Sequence, residues 1–405
     1  MMTETDIIPC PGYRFAGVAC GLKGGEAKDL ALILSDQPAA AAAVFTRNRF
    51  PAAPVLYGRR QLAAATPVRA VMINSGNANA CTGHQGEVDL MTTVAVLASV
   101  LGLPREEIFI SSTGVIGEPF PVTVILKGIE ALAAEIAADG ADAAAGLENA
   151  ARAIMTTDQV PKLASTEIQT SRGRVTITGL AKGAGMIHPD MATMLGYLLT
   201  DAGIGRKEWQ AMLTRVVDAS FNRITVDGDT STNDTVLALA NGVSGCHLEA
   251  AGDLALFEAG LLEVARRLAY MIVKDGEGAT KVVTIKVVGA DTPGAAEKVA
   301  RAVANSALVK TAFFGQDANW GRIVAAVGYA GVAIDPARVN VDFDGVRVVS
   351  GGMRDPAYRE EDGAAVLRRP EFVVKIDLQA GEDDYSLLTS DLTHDYISIN
   401  ADYRS

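Results

Sequence analysis

Aromatic residues make up only 5% of this 405-residue chain, and cysteine and histidine number four each. Cys10, Cys20, Cys81 and Cys246 show no CxxC spacing, and His84, His188, His247 and His394 are equally dispersed. Neither a disulfide framework nor a structural zinc site is therefore expected. The most apolar stretches, such as Val94 to Leu103, fall well short of the ~20 residues that a membrane-spanning helix needs. Positive charge is also in deficit: 36 Lys and Arg stand against 48 Asp and Glu, for a formal net charge of −12. No broad basic face is left for a nucleic-acid backbone to grip. Met1 to Cys10 carries Glu4 and Asp6 and no apolar core, so no secretory signal is expected and a cytoplasmic protein is.

What is present points to a globular protein. Hydrophobic residues are 49% of the chain, enough for one large domain or two to three ordinary ones. Forty glycines suit tight turns and close backbone packing. No internal repeat is visible, and the Ala-rich patches suit helices.

Along the chain, short apolar runs alternate with helical patterns. Val71 to Asn74 reads as a buried strand that opens into the loop "NSGNANACTG" and then a helix around Val88 to Leu101. Ile108 to Ser111 reads as a strand followed by a Gly-bearing turn. Helices are expected over Val122 to Ala138, Gly146 to Asp158, Arg206 to Ile224 and Asp253 to Ala279. Strands are expected over Arg174 to Gly183, Met194 to Ala202 and Lys281 to Gly289. Ala295 to Gly315 reads as a helix running into a strand or loop, and Arg338 to Ser405 as mostly β. The whole is mixed α and β, with sheet layers covered by helices.

The segment "KGAGMIHPDMATML", Lys182 to Leu195, joins two of these strands. It contains a lone Thr193 with no Ser-His-Asp or Cys-His spacing around it, so its hydroxyl lacks a local base. Attack of that hydroxyl on the carbonyl of Ala192, followed by hydrolysis of the ester, would free an α-amine. Such amines titrate at ~7.7 to 8.0, which suits a base near neutrality. Small Ala192 leaves the carbonyl uncrowded, Gly183 and Gly185 permit tight turns, and Pro189 restricts His188 to extended geometry. Residue chemistry alone leaves a second reading open, in which this is a loop and Thr193 an ordinary strand residue.

This segment resembles the signature of the glutamate N-acetyltransferase/ornithine acetyltransferase family. Other stretches resemble the same family in the same order: "NSGNANACTG", "SSTGVIGE", "MTTDQVPK", "VDGDTSTNDT", "KDGEGATK", "FFGQDANWGR" and the closing "INADYRS". The likeness thus spans essentially the whole chain. It implies a self-processing α/β fold, DmpA- and ornithine-acetyltransferase-like, with sheets layered between helices. It also implies autocatalytic cleavage between Ala192 and Thr193. The α chain, 1–192, would carry the oxyanion hole; the β chain, 193–405, would begin with the nucleophile and include a C-terminal α/β region. Thr193 would take acetyl from N2-acetylornithine and pass it to glutamate in ping-pong fashion, in arginine biosynthesis.

The same resemblance implies a role for each matching residue. Thr113 and Gly114 correspond to the oxyanion-hole pair, a site type that stabilises the charge developing in acyl transfer. Lys182 corresponds to a substrate-binding cation, fitting the α-carboxylates of both substrates. Glu277 would hold the ammonium of ornithine. Either Thr156 or Thr157 fits a further contact, and Asn400 and Ser405 match contacts near the C-terminus. No cofactor is implied, although some members of the family also accept acetyl-CoA as donor. Two α and two β chains are expected to assemble. Asp227, Asp229, Asn233 and Asp234 are oxygen donors, but they lack the spacing of a calcium loop and read as a hydrogen-bonded loop near the site. Asn77, Asn79, Asn319 and Arg322 are candidates for organising the site or an interface, and Cys81 reads as a small buried residue. Two alternative readings are a self-processing aminopeptidase or amidase on a related scaffold, and an uncleaved binding protein.

Overall fold

The computed structural model describes residues 7–138, 142–188 and 194–402. Among them the strands run, in chain order, β1 (Tyr13–Val18), β2 (Leu30–Phe45), β3 (Val68–Asn77), β4 (Ile108–Val115), β5 (Lys162–Thr170), β6 (Gly173–Lys182), β7 (Leu195–Thr200), β8 (Gly203–Ile204), β9 (Ile224–Thr225), β10 (Thr235–Ala240), β11 (His247–Leu248), β12 (Val282–Ala290), β13 (Asn340–Phe343), β14 (Val346–Ser350), β15 (Met353–Arg354), β16 (Glu371–Asp377) and β17 (Asp383–Ser390). The first sheet has the order β4-β3-β2-β10-β7-β6-β5, with β1 also on β2.

Strand β2 belongs to two layers at once. Its first part pairs with β1 and β3, and its second part, Ala40 to Phe45, pairs with β10. Between them the register shifts from Leu34 to Ala39, across Pro38, which has no N–H to give to a ladder. Side chains then sort by strand alternation. Leu30, Leu32 and Leu34 face a core with the helices Gly83–Leu101 and Val122–Ala137. Ala31 and Ile33, and beyond the shift Ala41 and Ala43, share a middle core with Leu180, Tyr197, Leu199, Leu237 and Leu239. Ala42 and Val44 face a third core with the helices Arg206–Asp218 and Ala251–Lys274, including Trp209 and Phe257. The result is helix, sheet, sheet, helix, as expected. The Ala39 to Ala43 run is strand rather than helix, because burial between two sheets overrides the intrinsic preference of alanine.

A second sheet, β15-β14-β13-β16-β12-β17-β9, packs its core against the helices Pro293–Ala304, Ala307–Phe314, Trp320–Gly328 and Glu360–Leu367. Strand β9 ties it to the first unit by parallel pairing with β17. The stretch from Ala295 to Gly315 is two helices, broken where Ser306 caps the second by accepting from the Val309 N–H. The C-terminal region also holds the helices Glu360–Leu367 and His394–Asp402 beside its strands. The helix expected from Gly146 runs from Ala143 to Ala153, leaving Thr156 and Thr157 in the turn after it.

The expected α and β chains are interlocked rather than side by side. Strands β7 and β10 follow residue 193 in sequence, yet they lie between β2 and β6. Antiparallel pairing sets Lys182 directly opposite Leu195, so the intervening loop leaves and returns at one end of the sheet.

Helix Ala143–Ala153 lies so close on β1 that a Cβ at Gly17 would stand 2.2 Å from the Asn149 carbonyl oxygen. Gly17→Ala is expected to destabilise the fold by about 1–3 kcal/mol, read as a lower denaturant midpoint at unchanged m-value.

Candidate active site

The strand ends at this rim enclose a polar cavity of about 210 Å³. Its wall takes Thr113 and Gly114 from the end of β4, Thr156 and Thr157 from the turn after helix Ala143–Ala153, and Lys182 from the end of β6. Glu277 enters from the loop after helix Ala251–Lys274, and Tyr396 and Asn400 from the helix His394–Asp402. The loop between β9 and β10 adds Asp227, Asp229, Ser231, Asn233 and Asp234. Thr113, Gly114, Thr156, Thr157, Lys182, Glu277 and Asn400, the site residues implied by the resemblance that fall among the described residues, are thereby brought together from distant parts of the chain, with the Asp227 to Asp234 loop beside them. Ala192, Thr193 and Ser405 lie outside the described residues; Met194, next in sequence to Thr193, lines the cavity. Both Thr156 and Thr157 line it, so the geometry does not choose between them.

Two glycines shape the corner at the end of β4. Parallel pairing puts Gly114 beside Gly76, at a register irregularity in β3. Gly114 has φ +131°, and a Cβ there would stand 2.3 Å from the Gly76 carbonyl carbon, so no other residue fits. Lys182 Nζ donates to Thr113 Oγ1 at 3.2 Å. Burial pulls the Lys182 ammonium below its ordinary pKa; Asp158, Asp234 and Glu277 oppose that pull and Lys162 adds to it.

Gly185 lets the acidic side of the site approach. A Cβ there would stand 2.3 Å from Glu277 Cδ, so the carboxylate lies against bare backbone. The Glu277 N–H donates to Ala184 O at 3.0 Å, and Asn400 Nδ2 donates to Glu277 Oε2 at 2.7 Å. Asp227 clamps the same loop: its carboxylate accepts from the N–H groups of Met186 at 2.6 Å and Ile187 at 2.8 Å, and from the Tyr396 hydroxyl at 3.3 Å. The Asp227 to Asp234 stretch is thus the hydrogen-bonded loop expected; among the described residues no cluster of three His, Cys, Asp or Glu side chains is arranged for a metal.

Asn233 stitches the corner together, donating from Nδ2 to Ala78 O at 2.6 Å and Ser112 O at 2.8 Å. Asn77 and Asn79 fold the neighbouring loop: the Asn77 side chain accepts from Asn79 N–H, and Asn79 Nδ2 donates to Gly86 O. Asn319 and Arg322 act away from the cavity, Asn319 as the cap of helix Trp320–Gly328 and Arg322 through Leu308 O. Cys81 is exposed rather than buried: Ala78, Asn79 and Ala80 take the interior positions of this loop, and Cys81 falls in the turn before helix Gly83–Leu101. His188 does not line the cavity; its Nδ1 lies 3.2 Å from Thr225 Oγ1.

Tyr396, Asp158 and Lys162 were not among the site residues expected from the sequence. Tyr396 was readable in principle, since it stands four residues before Asn400 and so on the same helix face.

A sequence model of the ArgJ family matches residues 14–405 of this chain. This chain belongs to the ArgJ family. The arginine biosynthesis bifunctional protein ArgJ of Geobacter sulfurreducens is 48% identical over 396 residues, covering 97% of this chain and 99% of the relative. Its counterpart from Nitratidesulfovibrio vulgaris is 49% identical over 398 residues, covering 97% and 98%. The solved ornithine acetyltransferase of Mycobacterium tuberculosis, complexed with ornithine, is 41% identical over 45% of this chain and 94% of that chain, with a TM-score of 0.41. Within this ArgJ chain the matching motifs converge on the single cavity described above, with one exception: "FFGQDANWGR" builds the second unit.

Asn233→Ala would leave the buried carbonyls of Ala78 and Ser112 unpaired, at about 1–3 kcal/mol each. The expected outcome is a lower denaturation midpoint together with lower transferase activity; unchanged stability would show that water replaces the amide.

Proposed function

We propose that this ArgJ-family chain moves an acetyl group from N2-acetylornithine to glutamate through an ester on Thr193, after cutting itself between Ala192 and Thr193. The observation that carries the reading is the convergence of Thr113, Gly114, Thr156, Thr157, Lys182, Glu277 and Asn400 on one cavity beside Met194. The lining includes a cation, Lys182, and acidic residues, among them Glu277, which suits an amino acid that carries both charges.

In self-processing, the Thr193 hydroxyl attacks the Ala192 carbonyl carbon, the peptide C–N bond breaks, and water hydrolyses the resulting ester. The products are a carboxylate at Ala192 and a free α-amine at Thr193. In transfer, that amine takes the hydroxyl proton as Oγ attacks the acetamide carbon. The Gly114 N–H and the Thr113 hydroxyl stabilise the oxyanion; donors of this kind typically contribute about 2.7–4 kcal/mol each. The C–N bond to ornithine breaks as the α-ammonium returns the proton to the leaving amine. Glutamate then attacks the ester by the same steps in reverse. Lys182 holds a substrate α-carboxylate and Glu277 an ammonium.

A related aminopeptidase or amidase would hand the acyl group to water instead. The family relationship favours transfer, and with it a cytoplasmic enzyme of two α and two β chains; the interlocked sheet supports halves that remain together after cleavage. The family also includes acetyl-CoA-dependent glutamate acetylation, which we propose as a second donor reaction at the same nucleophile.

Thr193→Ala is expected to give a single uncut chain by intact mass and no acetylornithine-to-glutamate exchange; a processed, active variant would refute the reading. Thr113→Val, which removes the hydroxyl donor at nearly constant shape, is expected to lower kcat by ~10²–10³ with a smaller effect on KM.

A further inference from the structure

Three segments of the cavity wall are anchored on a lysine that does not itself line the cavity. Lys162 opens β5 and its side chain is fully buried, with Nζ 2.6 Å from Asp158 Oδ1 and 2.6 Å from Asp275 Oδ2. Asp158 Oδ1 also accepts from the Gly183 N–H at 2.6 Å, beside Lys182, and its Oδ2 accepts from the Thr156 N–H at 3.0 Å. Asp275 Oδ2 accepts from the Gln159 N–H at 3.0 Å and precedes Glu277 by two residues.

Buried ion networks contribute little net stability, because desolvation offsets most of the attraction. An apolar trio would fill the same space. What it would not supply is a set of directional acceptors for the Thr156 and Gly183 N–H groups, or a net negative charge next to Lys182. We propose that Asp158, Lys162 and Asp275 form a positioning centre, which fixes the Thr156–Thr157 turn, the Lys182 corner and the Glu277 loop relative to one another, and that the Asp158 carboxylate held there is the counter-charge of the Lys182 corner, where a substrate carboxylate binds. The proposal rests on the reading of Lys182 as that carboxylate's partner.

The electrostatics agree. Burial alone would raise the Asp158 carboxyl, but Lys162 and Lys182, with the Gly183 N–H, hold it at about 2, so it stays ionised in the working range. Around Lys182 the carboxylates of Asp158, Asp234 and Glu277 favour its charged form, while Lys162 opposes it. Lys23 faces it from the loop before β2, and Asp227, Asp229 and Tyr396 face the same cavity. A lysine binds a carboxylate below its own pKa and loses it as pH rises through that value. Removing the Asp158 charge therefore moves the loss to lower pH.

The test is steady-state kinetics of purified, processed Asp275→Asn, Asp158→Asn and Lys182→Met, with N2-acetylornithine and glutamate, from neutral to alkaline pH. Asp275→Asn and Asp158→Asn are expected to raise KM by about tenfold or more, the scale of a lost charge-assisted hydrogen bond, with kcat within about threefold of wild type. In Asp158→Asn the alkaline limb of the kcat/KM profile should also begin at lower pH, a displacement that loosened packing alone would not produce. An unchanged KM, an unmoved limb, or a fall in kcat at constant KM overturns the proposal. If Asp158→Asn does not fold, Asp275→Asn decides, since it keeps the Lys162–Asp158 pair. Lys182→Met separates the two levels: an unchanged KM there removes the site reading itself, whereas a raised KM with silent Asp158→Asn and Asp275→Asn variants removes only the positioning centre.

Discussion

Two strands that follow residue 193, β7 and β10, lie in the middle of a sheet otherwise built by strands that precede it, and the site depends on that interleaving. β7 takes β6 on one side by antiparallel pairing and β10 on the other by parallel pairing. Because Lys182 faces Leu195 in that ladder, the signature loop must start and finish at the same rim. The same pairing aligns Thr235 with Leu195, bringing the Asp227 to Asp234 loop to that rim as well. None of these neighbours is local in sequence, so the site exists only once the sheet has formed. Chemistry that depends on it is confined to the folded chain. A break in the loop would then cut no ladder hydrogen bond of the described strands, and the cores shared across the sheet would still bind the two pieces. In the core that includes Trp209, for example, Val175 and Ile177 precede the loop while Leu198 and Val236 follow it.

The rim also concentrates charge where water is scarce. Asp158 and Asp234 are the same residue type near the same Lys182, yet they shift in opposite directions. For Asp158, a lysine at 2.6 Å and two backbone N–H donors outweigh desolvation, and the carboxyl falls to about 2. For Asp234 desolvation dominates; Ser231, Lys182 and Thr46 oppose it, yet the carboxyl is pushed well above its usual range. At an effective dielectric near 20 a contact ion pair is worth about 4 kcal/mol, and that attraction weakens as the charges separate. Direct contact, rather than the number of charges nearby, decides the direction in which each carboxyl shifts.

Much of this was legible in sequence because the relevant signals were local. Alternation in "RVTITGLAKG" and the apolar run after Met194 gave β6 and β7, and the glycines of the motif marked the rim between them. The roles of those glycines were less legible. Gly185 is required by the approach of Glu277, some ninety positions away, and Gly114 by Gly76 in the neighbouring strand. Asp158 and Lys162 escaped notice because a four-residue spacing implies a pair only on a helix, and these two sit in a turn and at the start of a strand. The Ala39 to Ala43 run misled in the opposite direction: its helix preference lost to the space available between two sheets. Cys81 misled for a related reason, as its neighbours Ala78, Asn79 and Ala80 already fill the interior beneath the loop.

The last helix reaches the site through few contacts. Of the described residues of His394–Asp402, none is buried, and Ile397 is 63% exposed. Little apolar burial therefore holds the helix down. Its attachments are polar and lie at the cavity, Tyr396 on Asp227 and Asn400 on Glu277, with Thr393 fastening its start to the Gly278 carbonyl. Segments with few buried apolar contacts sit at the low end of the range of local opening free energies. Besides these hydrogen bonds, His394 packs edge-on against Phe314, with ring centroids 5.7 Å apart. The helix therefore rests on the cavity rim through a handful of contacts rather than a buried apolar face, and its placement depends on Asp227 and Glu277 being held where the Asp227 to Asp234 loop and the loop after helix Ala251–Lys274 put them.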